Sequence, residues 1–144
     1  MESMNDSARG INRQEMFEQV QGIIDFLQQA YREQQPAHAV ERGLWGRMLQ
    51  LGRRMLEAFF GLYGDGDVGD VLVLGDGRQV RRLAEPQTRP YQCPFGAFEL
   101  TRVVYGSREG QKIAAIPFDE SLQLPQSKFS YLLQDWNQAL EVEM

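Results

Sequence analysis

The sequence predicts an α+β fold, with an N-terminal antiparallel helical hairpin, a small antiparallel β-sheet of four to five strands and a C-terminal amphipathic helix. Three observations carry that expectation. Apolar residues recur at intervals of three and four through residues 11–63, which is the period of one helix face. Short alternating segments punctuated by glycine fill residues 64–125, as strands and tight turns require. A second helical stripe follows Pro125. At 144 residues the chain fits one ordinary domain or two small ones sharing a core. We expect a leader over 1–10, a hairpin over 11–63, a β region over 64–125 and a closing helix over 126–144, forming one compact unit.

Residues 1–10 are polar, and nothing in them offsets the entropy of ordering, so a frayed leader is expected. From Ile11 to about Glu33, Met16, Val20, Ile23, Leu27 and Ala30 form one helical stripe, widened by Phe17, Ile24 and Tyr31. Pro36 ends that helix, because proline excludes the α region from its predecessor and cannot donate backward. Ala39 to Tyr63 carries Leu44, Met48, Leu51, Met55, Ala58 and Leu62 on one stripe, with Trp45, Leu56 and Phe59 beside it. Two such helices joined by about five residues make an antiparallel hairpin. Gly43, Gly46 and Gly52 each weaken the second helix by up to about 1 kcal/mol, which close helix contact would offset.

Residues 61–70 read as a loop, since glycine and aspartate favour turns. Val71–Leu74 and Arg78–Leu83 flank Asp76-Gly77 and predict a β-hairpin. Tyr91–Phe95 and Ala97–Val104 predict a second one about Gly96. In the latter strand Phe98, Leu100 and Arg102 alternate with Glu99, Thr101 and Val103, so its two sides are not cleanly segregated. Tyr105–Gly110 reads as a turn, Gln111–Pro117 as a final strand, and Ser127 as the cap of a last helix bearing Phe129, Leu132, Leu133, Trp136, Ala139 and Leu140.

The net charge is −5, which opposes non-specific coating of nucleic acid. Its distribution is uneven, with −3 over 1–37, +2 over 38–62, −4 over 63–77, +4 over 78–108 and −4 over 109–144. Cys93 is the single cysteine, so no intramolecular disulfide forms. With no run of about 18 apolar residues and no charged leader before an apolar core, a soluble cytoplasmic protein is expected.

Isolated motifs for chemistry are few. His38, the single histidine, reads as a surface or capping residue, and Cys93 as a small buried hydrophobe. Asp65, Asp67 and Asp70 lack the remaining ligands of a calcium loop and read as a solvated turn. Gly64-x-Gly66-x-x-Gly69 matches a dinucleotide fingerprint in letters, but it follows a helix and precedes a strand. Asp119 and Glu120 read as a solvated turn rather than a metal pair, because too few strand–helix alternations exist for a two-metal nuclease. The basic set Arg78, Arg81, Arg82, Arg89, Arg102 and Arg108 could meet phosphates or pair with neighbouring acids. Strand alternation separates Arg81 from Arg82, so a single patch is not expected.

Four motifs stand in order: Glu41-Arg42-Gly43-Leu44; Gly66-Asp67-Val68-Gly69; Phe95-Gly96-Ala97-Phe98-Glu99-Leu100-Thr101-Arg102-Val103-Val104-Tyr105-Gly106; and Pro117-Phe118-Asp119-Glu120-Ser121-Leu122-Gln123-Leu124-Pro125. Over most of residues 40–140 the chain resembles the N-terminal region of bacterial insertion-sequence transposases of the Kra type, whose catalytic module is an RNase H-like DDE domain. Phe118 stands where that family has leucine. The family's catalytic carboxylates lie further along and have no counterpart before Met144, so no catalytic residue is carried over. The resemblance implies a non-catalytic N-terminal fragment of a transposase, with no metal or other cofactor and no small-molecule substrate. Its expected tasks are transposon-end DNA contact through the six arginines, or self-association through the helical hairpin. The alternative is a helical interaction module with no nucleic-acid role.

Overall fold

The computed structural model describes residues 11–107 and 112–143, with side chains to residue 138. The expected leader over 1–10 lies outside the described residues. The architecture is α+β, and the chain divides into two compact units, Met1–Leu62 and Tyr63–Met144.

The first unit is the helix pair α1 (Arg13–Arg32) and α2 (Ala37–Leu62). Asn12 caps α1 by accepting the Glu15 N–H on its side-chain oxygen at 3.1 Å, satisfying one donor that the first turn leaves open. The chain leaves α1 through Gln34 at φ 52°. Pro36 then starts α2, its carbonyl accepting from Ala39 and Val40. The helices meet where Gly43 faces Phe26. A Cβ at residue 43 would run into the Phe26 ring, and the Arg47 guanidinium lies 3.6 Å from the centre of that ring, a cation–π contact. Further along, Arg54 donates to Gln19 at 3.1 Å. Close contact therefore explains Gly43, whereas Gly46 faces open space.

The second unit holds two sheets rather than one. Strands β1 (Val71–Val73), β2 (Gln79–Arg82), β5 (Tyr105–Gly106) and β6 (Ile113–Ala115) form an antiparallel sheet in the order β1-β2-β5-β6. Its core is Val80, Val103, Tyr105 and Ala115, with Leu72 and Leu74 against it. Strands β3 (Gln87–Cys93) and β4 (Gly96–Arg102) form a separate two-stranded sheet, in register from Gln87 opposite Arg102 to Cys93 opposite Gly96.

Four local expectations need correction. The second hairpin turns at Pro94-Phe95, with Gly96 at φ 124° opening β4. Tyr105-Gly106 is a central strand of the first sheet and not a turn; Tyr105 is 0% exposed. The segment after β6 is a helix, α3 (Pro117–Leu122), entered with Pro117 at its start and left through Gln123 at φ 51°. The last helix, α4 (Tyr131–Glu143), is capped by Ser130, whose hydroxyl accepts the Leu133 N–H at 3.1 Å. Ser127 instead accepts from Phe129, and Phe129 bridges to Gln92, outside the helix. Ala139 and Leu140 lie outside the residues whose side chains are described.

The two helix glycines are expected to respond with opposite sign. Gly46→Ala raises stability by up to about 1 kcal/mol, because the new methyl meets nothing and helix propensity improves. Gly43→Ala lowers it by about 1 kcal/mol, since overpacking at Phe26 outweighs propensity. Urea unfolding followed by circular dichroism measures both.

Candidate functional site

Residues 78–108 carry the largest block of net positive charge, and four of their arginines, Arg78, Arg82, Arg89 and Arg102, sit against carboxylates. Arg102 closes β4, whose buried side is Phe98, Leu100 and Arg102. The strand is thus cleanly segregated, because its inward arginine has a partner. Its Nε donates to Asp119 Oδ1 at 2.9 Å, its Nη2 to Asp119 Oδ2 at 3.1 Å and its Nη1 to the Gln87 carbonyl at 3.1 Å. Arg89 of β3 reaches the same carboxylate at 3.2 Å, and its Nη2 lies 2.8 Å from the carbonyls of both Pro125 and Ser127. Asp119 belongs to α3 and its side chain is 19% exposed, which corrects its reading as a solvated turn residue.

Arg82 points to the core side of β2 with Val80 and bridges Asp67 and Asp70, at 2.5 Å to each. The glycine-rich loop is further fixed by Tyr105, whose hydroxyl donates to the Gly69 carbonyl at 2.6 Å and accepts the Val68 N–H at 3.0 Å. Gly66, at φ 79°, lets the loop pass Phe118, since a Cβ there would lie 2.8 Å from the Phe118 backbone nitrogen. Arg78 pairs with Asp76 at 2.7 Å in an exposed turn. Arg81 lies on the opposite side of β2 from Arg82, exposed, and no ion pair is found for it among the described residues. Arg108 lies outside the described residues. Arg89 and Arg102 are therefore held by the partly buried Asp119 and backbone carbonyls, and Arg82 by two exposed carboxylates; a phosphate would have to displace those partners.

Asp67 is held below the usual carboxylate range by the Gly69 N–H and then by Arg82. The Arg78 backbone N–H and side chain do the same for Asp76. Burial pushes the Tyr105 hydroxyl up. Cys93 is buried, with its Sγ 3.5 Å from the Gly96 carbonyl, and His38 is exposed on the first turn of α2. Among the described residues no cluster of three or more His, Cys, Asp or Glu could hold a metal ion, and no helix is long and apolar enough to cross a membrane.

The other candidate surface is on the helix pair. Gln19, Ile23, Phe26 and Ala30 share the face of α1 turned to α2, and Gly43, Arg47, Leu51, Arg54 and Ala58 share the answering face. On α1, Phe17, Ile24, Leu27 and Tyr31 are exposed, Phe17 by 62% and Tyr31 by 85%. On α2, Trp45, Met48, Met55, Phe59 and Leu62 are exposed, Trp45 by 60%. Both series are displaced by one residue, about 100°, from the contact seam. Because the helices run antiparallel, that same displacement turns both series to the same side of the pair. The sequence signal was the width of each stripe, since Phe17, Ile24, Tyr31, Trp45 and Phe59 broaden it beyond what one neighbouring helix covers.

Comparison with protein-family models, with curated proteins and with solved structures gives no match. The likeness to Kra-type transposases rests on the four motifs alone. Three of the residues in those motifs, Arg102, Tyr105 and Asp119, make the side-chain bonds that join segments of the second unit.

Removing the shared carboxylate is expected to be costly. Asp119→Ala leaves Arg102 buried with one carbonyl acceptor and lowers stability by about 3–5 kcal/mol, whereas Asp76→Ala, in a solvent-exposed pair, changes it far less. Chemical denaturation separates them.

A pH dependence follows from the depressed carboxylates. Their folded-state pKa lies below the unfolded value, so the stability they contribute is present above about pH 4 and is lost as the pH falls below it. Asp67→Asn combined with Asp76→Asn flattens that acid limb in unfolding curves taken across a pH series.

Proposed function

We propose that this chain is a non-catalytic portion of an insertion-sequence transposase whose local task is protein docking through the apolar face of the helical hairpin. One observation carries the reading: nine large apolar side chains of α1 and α2 stay exposed on a single side of the pair. Taking about 200 Å² for each large side chain, their exposed fractions amount to about 900 Å² of apolar surface. A soluble monomer's largest patch is about 300–600 Å², so a surface of this size marks an interaction site. The order of the four motifs supports placing that site in a transposase.

Contact with transposon-end DNA through the strand arginines is less well supported. Arg82, Arg89 and Arg102 already spend their donors on Asp67, Asp70, Asp119 and backbone carbonyls, which leaves Arg78 and Arg81 as the more accessible pair. A basic surface whose charges are already met gains little counterion-release energy.

Co-expression tests the docking reading. Producing this chain beside an intact Kra-type transposase is expected to change the excision frequency of the matching element, and Trp45→Glu with Phe59→Glu is expected to remove the change. An excision frequency indifferent to the wild-type chain refutes the proposal.

A further inference from the structure

We infer that the occupant of the hairpin face is the same face of a second copy, so that two hairpins close a symmetric four-helix bundle. This rests on the docking reading above and names its partner.

Area is the first argument. The exposed face offers about 900 Å² on each chain by the estimate above, and a stable specific interface needs about 800 Å² per partner. The face is therefore of the size that one like-sized partner covers, and it is too large for a short peptide to dry completely.

Chemistry is the second. The exposed stripes are apolar along most of their length, with Arg13 and Glu41 at their N-terminal ends, so the partner must itself be largely apolar. Phe17, Ile24 and Tyr31 recur at seven-residue intervals on α1, as do Met48, Met55 and Leu62 on α2, the repeat that keeps one seam facing a neighbouring helix over several turns. Each helix then has two adjacent seams, one spent inside the hairpin and one outside it, which is what a four-helix bundle requires of every member.

Symmetry is the third. A largely apolar face made from two antiparallel helices meets itself when turned about a two-fold axis, and Arg13 and Glu41 fall at opposite ends of it because each lies near the start of its helix. Such an isologous contact closes at two copies. Glu18 and Asp25 lie behind the stripe on α1, as does Arg42 on α2, and all three are exposed, giving the bundle a solvated outer side.

Sedimentation equilibrium of the full 144-residue chain tests the inference. The expected mass is that of a dimer. Trp45→Glu and, independently on the other helix, Phe17→Ser are each expected to raise the dimer dissociation constant by at least about 30-fold, with helical circular dichroism retained. Asp25→Asn, on the outer side, is expected to leave the constant unchanged. A monomer at every concentration, a trimer or higher species, or a dimer insensitive to both face variants overturns the inference. If the chain is monomeric but still alters excision, the symmetric bundle is wrong and the docking reading stands. If it is a dimer sensitive to both face variants but leaves excision untouched, the bundle is right and the transposase reading falls.

Discussion

One carboxylate organises the second compact unit. Asp119 receives two donors from Arg102 and one from Arg89, so a single side chain of α3 joins both strands of the β3–β4 sheet. The remaining donors of the two arginines go to the carbonyls of Gln87, Pro125 and Ser127, which extends the same junction to the segment leading into α4. Two guanidinium groups on one carboxylate leave an excess positive charge, and those carbonyl dipoles are what make it tolerable. A buried pair of this kind adds less net stability than its Coulomb energy suggests, because both ions lose water. What it supplies is geometry: three bonds to one carboxylate fix the position of α3 more narrowly than apolar packing alone would.

That junction changes the meaning of the charge pattern. In sequence, a block of +4 over residues 78–108 lies between two blocks of −4, and the basic block alone looks like a phosphate-binding surface. In the fold, Asp67 and Asp70 from the first acidic block reach Arg82, while Asp119 from the second reaches Arg89 and Arg102. The alternation of sign along the chain is a pattern of internal pairing. Among the described residues, the strand arginines are largely turned inward to acids of the same unit, while the helix pair keeps its large apolar side chains exposed.

Much of this was legible in the sequence. The long periodic stripes gave both N-terminal helices, and Asp76-Gly77 between alternating runs gave the first β-hairpin. The less legible parts share a cause, namely that the deciding interaction lies far away in sequence. Tyr105-Gly106 is two residues long, with no alternation to detect, and it becomes a strand because β2 and β6 pair on either side of it. α3 is hidden behind Pro117, which reads as a break but occupies the first helical position, where its missing N–H costs nothing. Arg102 looks misplaced on the apolar side of β4 until Asp119, seventeen residues on, is brought against it.

The hairpin shows the opposite relation between sequence and surface. Its stripes are wider than one neighbour can cover, and that excess is readable directly from Phe17, Ile24, Tyr31, Trp45 and Phe59, without knowing any distant contact. What periodicity alone does not fix is the side to which the excess points. The contacts of Phe26 with Gly43 and Arg47, and of Gln19 with Arg54, supply that by setting which edge of each helix is spent on the other. Once those edges are known, the antiparallel direction forces the remaining apolar edges onto a common side. Had the helices run parallel, the same one-residue displacement would have sent the two stripes to opposite sides, and the exposed apolar residues would have formed two narrow strips instead of one broad face.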